Sequence, residues 1–160
     1  MWKKAVLIAA SSAVVVLIAS AFLFGPKDEQ LILEALDNSI KASRTGQPGG
    51  VAEYLSKNLV VDGEATGAYD ISKVVRLAKP DVEVLNRDVQ IQGGFATIES
   101  PVNIRIQNGD DVGTTKINHV TITFAKESGM RWGIIPYPKW RIRDIKTEGF
   151  DPTMVMPGIP

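Results

Sequence analysis

Few side chains in this sequence could do chemistry, and they are widely spaced. His119 is the only histidine and there is no cysteine. Thiol catalysis, disulfides and zinc–thiolate sites are therefore excluded, and a site with two or three histidine ligands cannot form within one chain. His119 alternates with the apolar residues Val120, Ile122 and Phe124, which favours an exposed position on a sheet. Neither a metal site nor a cofactor is predicted.

Asp144 is the one catalytic candidate. In the predicted strand Lys139–Lys146, alternation places it on the same side as Trp140 and Ile142. A carboxyl group facing a core would be desolvated, which raises its pKa toward the range of a general acid or base. The competing interpretation is an acid at a pocket rim, or one paired with an arginine.

Three aromatic residues, Trp132, Tyr137 and Trp140, cluster near the C-terminal strands. They could line a pocket for an apolar ligand, or they could simply fill a core. The formal charges balance, at 18 basic and 18 acidic residues. This balance gives no electrostatic basis for nucleic-acid binding, which depends on clustered Lys and Arg.

The N-terminal residues 1–25 predict a transmembrane anchor. Lys3 and Lys4 precede an uncharged run of 20 residues, Ala5–Phe24. A helix of that length spans about 30 Å, the thickness of the hydrocarbon core of a bilayer. The positive-inside rule then places the N-terminus in the cytoplasm and the remaining chain outside it, with residues 5–24 in the lipid bilayer.

A cleaved signal peptide is the alternative interpretation. Ala19-Ser20-Ala21 fits the small-x-small cleavage pattern, which would give a secreted chain cut near Ala21. The apolar residues Phe22, Leu23 and Phe24 continue beyond that point and favour an uncleaved anchor. Both interpretations place the rest of the chain on the same side of the membrane.

Three helices are predicted between residues 27 and 79. Lys27–Ser43 has apolar residues at a helical spacing, Val51–Asn58 is a short second helix, and Asp70 is expected to cap a third helix that ends near Lys79. Leu59–Val61 is expected to be a short strand.

From residue 81 onward, alternating apolar residues predict an antiparallel meander of strands. Turns are expected at Gly93-Gly94, at Asn108–Asp111 and at Ser128-Gly129. A shift in the alternation predicts a bulge near Asn86-Arg87, and Pro101 predicts a second bulge or an edge position.

This order of elements resembles the cone-shaped α+β superfamily named after nuclear transport factor 2. The resemblance rests on the opening helix, the helix at Ile71–Lys79, the long strands from Val82 to Phe124 and the closing Lys139–Asp144. It implies an α+β domain in residues 26–148, with helices packed on a bent antiparallel sheet of about four to six strands. It also implies a pocket and, in many members, a homodimer formed through the sheet.

The segment 149–160 is a proline-rich apolar tail. We predict that Phe150, Met154 and Met156 bind a protein partner or dock back onto the domain, because disordered segments are usually poor in such residues. The sequence supports two functions of different classes. The first is a membrane-tethered extracytoplasmic assembly domain without catalysis, and the second is an isomerase-like or dehydratase-like pocket enzyme, or a binder of a small apolar ligand.

The anchor predicts where the chain fractionates. The full-length protein should sediment with membranes, and protease added to spheroplasts should degrade the domain. Recovery of a mature chain that begins at Phe22 would contradict the anchor and establish cleavage. Protection of the domain in intact spheroplasts would contradict the predicted orientation.

Overall fold

The computed structural model describes residues 27–108, 111–131 and 135–149, with side chains placed for 27–106, 112–129 and 137–149. The predicted anchor at 1–25, the tail residues from Phe150 onward and Trp132 lie outside the described residues. Within them the chain forms three helices and seven strands: α1 Asp28–Arg44, α2 Pro48–Ala52, β1 Leu55–Val61, β2 Glu64–Ala65, α3 Ala68–Ala78, β3 Asp81–Val84, β4 Val89–Gln92, β5 Phe95–Asn108, β6 Asp111–Arg131 and β7 Ile135–Thr147. No helix in these ranges is both long and apolar enough to cross a bilayer.

The first helix agrees with the sequence prediction to within one residue at each end. The side chain of Gln30 accepts a hydrogen bond from the backbone N–H of Lys27 at 3.2 Å, and so satisfies a donor that the helix start leaves free. Acidic residues occupy the first turn of α1 and basic residues its last turn, which suits the helix dipole. Ile32 and Leu36 are buried against the sheet.

The second and third helices differ from their predictions. The helix predicted at Val51–Asn58 already ends at Ala52, as α2, because the backbone from Tyr54 onward pairs with β7. The N–H of Ile142 donates to the carbonyl oxygen of Tyr54 at 2.9 Å. Tertiary pairing thus overrides the local pattern. Asp70 does not cap α3, since the helix already begins at Ala68 and Gly67 holds the capping position.

The sheet has the strand order β2-β1-β7-β6-β5-β3, with β4 also paired to β5. The expectation of four to six antiparallel strands is wrong in two respects. There are seven strands in the described chain, and β1 runs parallel to β7. The pairing of β1 with β7 joins residues more than 80 positions apart, which local alternation cannot reveal.

Irregularities in the strands were partly predictable. The expected bulge near Asn86-Arg87 is instead a break between β3 and β4, whereas a register shift between Ser100 and Val102 confirms the irregularity at Pro101. The Gly93-Gly94 turn is confirmed. The turn at Ser128-Gly129 is wrong, because β6 continues through both residues and Gly129 lies opposite Tyr137.

One face of the sheet packs against α1 and forms the core. The largest fully buried side chains include Trp140, Phe124, Ile32 and Ile98, each at most 1% exposed. The other buried members of the cluster are Leu36, Leu59, Val84, Ala96, Val102, Ile117, Val120, Ile122 and Ile142. The interior between helix and sheet is therefore filled by side chains.

Trp140 also ties the start of α1 to the last strand. Its indole N–H donates to Asp28 Oδ1 at 3.0 Å, and Lys126 Nζ lies 2.9 Å from Asp28 Oδ2. The hydrogen bond from Trp140 and the neighbouring ammonium group of Lys126 both lower the pKa of Asp28 from its ordinary value. A carboxylate at this position also lies in the first turn of α1, where the helix dipole favours negative charge.

The burial of Trp140 predicts a large loss of stability on truncation. Trp140→Ala should lower the free energy of unfolding by about 3–5 kcal/mol, since it removes a large buried ring and leaves a cavity. Trp140→Phe keeps most of the ring and should lose less. Urea denaturation of a soluble fragment of residues 26–160 measures both. An alanine variant as stable as the parent would contradict the placement of Trp140 in the core.

The contacts of Asp28 predict a pH-dependent contribution to stability. Because its pKa is lower in the folded state than in the unfolded chain, the contribution is complete above the unfolded value of about 3.8 and disappears as the pH falls through the folded value. Asp28→Asn should therefore destabilise the domain at pH 7 and have progressively less effect below pH ~4. The control is Asp37→Asn, on the same helix as Asp28, which breaks an exposed ion pair with Arg87 and should have a small effect throughout. A stability loss for Asp28→Asn that is equal at all pH values would contradict this account.

Candidate functional site

Asp144 lies on the sheet face that points away from α1. Thr123 pairs with Asp144 while Phe124 pairs with Ile142, so β7 carries one extra residue, Arg143, at this point. A bulge of one residue exchanges the faces of all residues beyond it. The expectation that Asp144 shares a face with Trp140 and Ile142 is therefore wrong.

The partners of Asp144 define this second surface, which we call the outer face. Across the strands, Thr97, Thr123 and Asp144 form one row, and Phe95, Ala125 and Arg141 form the next. Ala125 is only 4% exposed although it lies on the outer face, because the side chains around it are long. The outer face is therefore polar and charged apart from the exposed ring of Phe95, and its centre is partly covered.

A charged network occupies one part of the outer face. Arg141 Nη1 donates to Glu127 Oε2 at 3.2 Å, and the hydroxyl of Ser56 donates to Glu127 Oε1 at 2.7 Å. Both oxygens of the Glu127 carboxylate thus have a donor. The Arg141 side chain is 23% exposed, so this pair is better shielded from water than an ordinary surface ion pair.

Two polar atoms of the outer face have no hydrogen-bond partner among the described residues. They are Arg141 Nε and Asp144 Oδ1, and both are shielded from solvent. The other carboxylate oxygen of Asp144 is 3.8 Å from Lys146 Nζ, which is a loose contact. A buried polar atom without a partner costs about 1–3 kcal/mol, so each such atom in a native protein calls for an explanation.

The aromatic candidates separate in the structure. Trp140 fills the core, while Tyr137 lies half-buried on β7 with its ring against Gly129, where an added Cβ would be 2.9 Å from the ring. Both residues border a small cleft of about 140 Å³ beside α1 and Tyr54. That volume is below the ~300 Å³ at which ligand pockets usually begin. Trp132 and the tail residues Phe150, Met154 and Met156 lie outside the described residues, so their predicted contacts stay predictions.

Two wider depressions lie on the surface. One, of about 970 Å³, is lined by the β1–β2 turn and the end of β7, including Asp62 and Thr147. Asp62 has a positive φ of 51°, and its carboxylate accepts hydrogen bonds from the N–H and hydroxyl of Thr147 at 2.6 and 2.7 Å. The carboxylate of Asp62 therefore holds the turn in place. The other depression follows the exposed face of α3 around Tyr69 and Leu77.

Sequence reasoning missed the residues that matter most at the surface. It did not identify Asp28, whose role depends on two residues about 100 positions away, or Arg141 as the neighbour of Asp144. It also missed the exposed apolar residues Ile91 and Phe95, because both belong to strands with regular alternation. His119 is half-exposed, and its Nε2 lies 4.0 Å from Glu148.

Comparisons with known proteins identify the fold by structure alone. No protein-family model matches the chain. No curated protein sequence matches it either.

Solved structures do match. A putative calcium/calmodulin-dependent kinase II association domain from Exiguobacterium sibiricum superimposes with a TM-score of 0.59 at 12% identity, covering 79% of this chain and 97% of that one. An NTF2-like protein of unknown function in nutrient uptake from Rhodospirillum rubrum has a TM-score of 0.54 at 14% identity, covering 76% and 97%. A ketosteroid isomerase-like protein from Erwinia carotovora atroseptica has a TM-score of 0.54 at 13% identity, covering 76% and 95%.

At these identities the likeness establishes the fold and does not establish a function. The neighbours include a domain named for association and a protein named for its likeness to an isomerase. In this chain the helices pack on one face of a bent, open seven-stranded sheet. The chain has a nuclear-transport-factor-2-like α+β fold.

Proposed function

We propose that this chain is a non-catalytic assembly domain, tethered to a membrane through residues 5–24, that binds a protein through the outer face of its sheet. The observation that carries the proposal is the pair of shielded, unpartnered polar atoms, Arg141 Nε and Asp144 Oδ1. They have opposite charges and lie in adjacent rows of the outer face, on either side of the bulge at Arg143.

The filled interior supports a surface function over a pocket function. Phe124, Ile98 and Ile32 are completely buried, and Trp140 is 1% exposed. Asp144, the one acid suggested for catalysis, lies on the other side of the sheet from this core. The alternative, an isomerase-like or dehydratase-like pocket enzyme or a binder of a small apolar molecule, would need an apolar cavity beside that acid.

A second copy of the chain is the simplest partner for the outer face. In a two-fold interface, residue i contacts residue j and residue j contacts residue i. The exposed parts of Arg141 and Asp144, whose side chains are 23% and 24% exposed, can then pair with each other twice, once in each direction. Charge-assisted hydrogen bonds of this kind are about twice as strong as neutral ones.

The tether favours association of two copies through the outer face. The run Ala5–Phe24 is long enough to cross a bilayer, and the positive-inside rule puts the folded part on the extracytoplasmic side. Two tethered copies diffuse in one plane, which raises their effective concentration relative to free domains. A contact that free domains already make through the outer face is then favoured further.

A charge reversal at Asp144 tests the assembly surface. In a fragment of residues 26–160, Asp144→Lys should weaken self-association roughly 30-fold or more, because it opposes two positive groups and leaves Arg141 unpaired. Sedimentation equilibrium measures the dissociation constant.

Glu34→Lys is the matched control, since it makes the same charge change at an exposed position of α1, on the opposite side of the sheet. It should leave the dissociation constant within about twofold of the parent, as expected for a charge away from the interface. A parent fragment that stays monomeric, or equal effects of the two substitutions, would contradict pairing of the outer face.

A further inference from the structure

The start of α1 must lie close to the membrane if residues 5–24 span it. Only Gly25, Pro26 and Lys27 separate the apolar run from Asp28. Four residue steps, even fully extended, cover at most about 14 Å. The headgroup region adds roughly 5–8 Å to each side of the hydrocarbon core. The first turn of α1 is therefore confined to the headgroup region or the water immediately beside it.

Contacts of Asp28 show which other part of the domain shares this position. Its carboxylate pairs with Lys126 Nζ at 2.9 Å, and the backbone N–H of Lys126 donates to the carbonyl oxygen of Gly94 at 2.8 Å. Gly94 belongs to the two-glycine turn between β4 and β5. This turn, which we call the β4–β5 hairpin tip, is thus at the same end of the sheet as the start of α1.

The hairpin tip carries apolar side chains that the fold leaves in water. Ile91 is 44% exposed and Phe95 is 51% exposed. They flank the turn in neighbouring cross-strand pairs, Ile91 with Ala96 and Phe95 with Gln92, and therefore project from opposite sides of the ribbon. The exposed parts of these two side chains do not contribute to burial of apolar surface in the core.

The β6–β7 ribbon extends from the same end. Beyond the pair Lys126 and Trp140, β6 continues to Arg131 and β7 begins at Ile135, which adds about 16 Å of ribbon. Half-buried Tyr137 lies on this extension. Tyrosine, with an apolar ring and a polar hydroxyl, is enriched where proteins meet the membrane–water interface.

We propose that the β4–β5 hairpin tip, through Ile91 and Phe95, is a second contact of the domain with the same lipid bilayer. This inference rests on the proposed tether. The tether holds the tip near the surface, so even a weak apolar contact stays formed. Burial of the exposed parts of both side chains in the interfacial region provides the driving force. With this end of the sheet on the membrane, strand β5 extends away from it, and the part of the outer face around Arg141 and Asp144 stays open to a second copy beside it.

The chain offers a matched pair of positions for a test, since it has no cysteine. At Gly94 and at Gly113 an added Cβ meets nothing within 4 Å, and neither residue has a positive φ. Gly113 pairs with Ile106, near the far end of β5 and about 36 Å from the hairpin tip. Gly94→Cys and Gly113→Cys, each labelled with an environment-sensitive fluorophore, thus compare the two ends of the sheet in the same full-length chain.

The labelled chains are reconstituted into vesicles of phosphatidylcholine and phosphatidylglycerol that contain brominated acyl chains, which quench only nearby fluorophores. We expect quenching at position 94 to be several-fold stronger than at position 113. Adding Ile91→Ser and Phe95→Ser to the Gly94→Cys chain should reduce its quenching several-fold while the chain still floats with the vesicles. This last comparison separates a contact made by the side chains from simple proximity to the tether.

The outcomes distinguish the two hypotheses. A chain that floats with the vesicles but shows equal, weak quenching at both positions overturns the hairpin contact and leaves the tether standing. Strong quenching at position 94 that survives both serine substitutions also overturns it, because the apolar side chains would then play no part. A chain that does not float with the vesicles overturns the tether, and the hairpin contact with it.

Discussion

The hydrogen bond from the Trp140 indole to Asp28 is the interaction on which the rest of this structure depends. The ring of Trp140 fills the space between α1 and the sheet, and its N–H needs an acceptor once it is buried there. Asp28 supplies that acceptor from the first turn of α1, where the helix dipole and Lys126 both stabilise its negative charge. One contact therefore closes the core, fixes the last strand and joins the sheet to the residue next to the predicted membrane segment. A closed core supports the proposal that this domain acts through its surface.

The bulge at Arg143 decides which side chains of β7 the outer face presents. Because side chains alternate along a strand, a single extra residue exchanges the faces beyond it. At Arg143 this exchange places Ile145 beside Ile122 in the core and Asp144 beside Thr123 on the outer face. The apparent core position of Asp144 followed from unbroken alternation through Lys139–Lys146. Its actual position, in the row beside that of Arg141, places the acid on the charged outer face and not in the core.

The sequence predicted the elements that depend on local patterns. The apolar spacing in α1, the two-glycine turn before β5 and the long alternating strands follow from neighbouring residues, and the α+β class follows from their order. The parallel pairing of β1 with β7, the shortness of α2 and the continuation of β6 through Gly129 depend on residues far apart in the chain. Of the candidate site, Asp144 was identified but assigned to the wrong face. Its relation to Arg141 could not be predicted, since nothing local marks a bulge at Arg143.

The central claim is that the filled core leaves binding to the outer face. Native mass spectrometry of the full-length chain, extracted from its own membranes in a mild detergent, tests this most directly. The account predicts the 17.4 kDa chain as part of a protein complex, with a second copy present and no small molecule retained. A monomer that carries a stoichiometric apolar small molecule would contradict it, because such a ligand requires an interior cavity that the packed side chains of Trp140, Phe124 and Ile98 occupy.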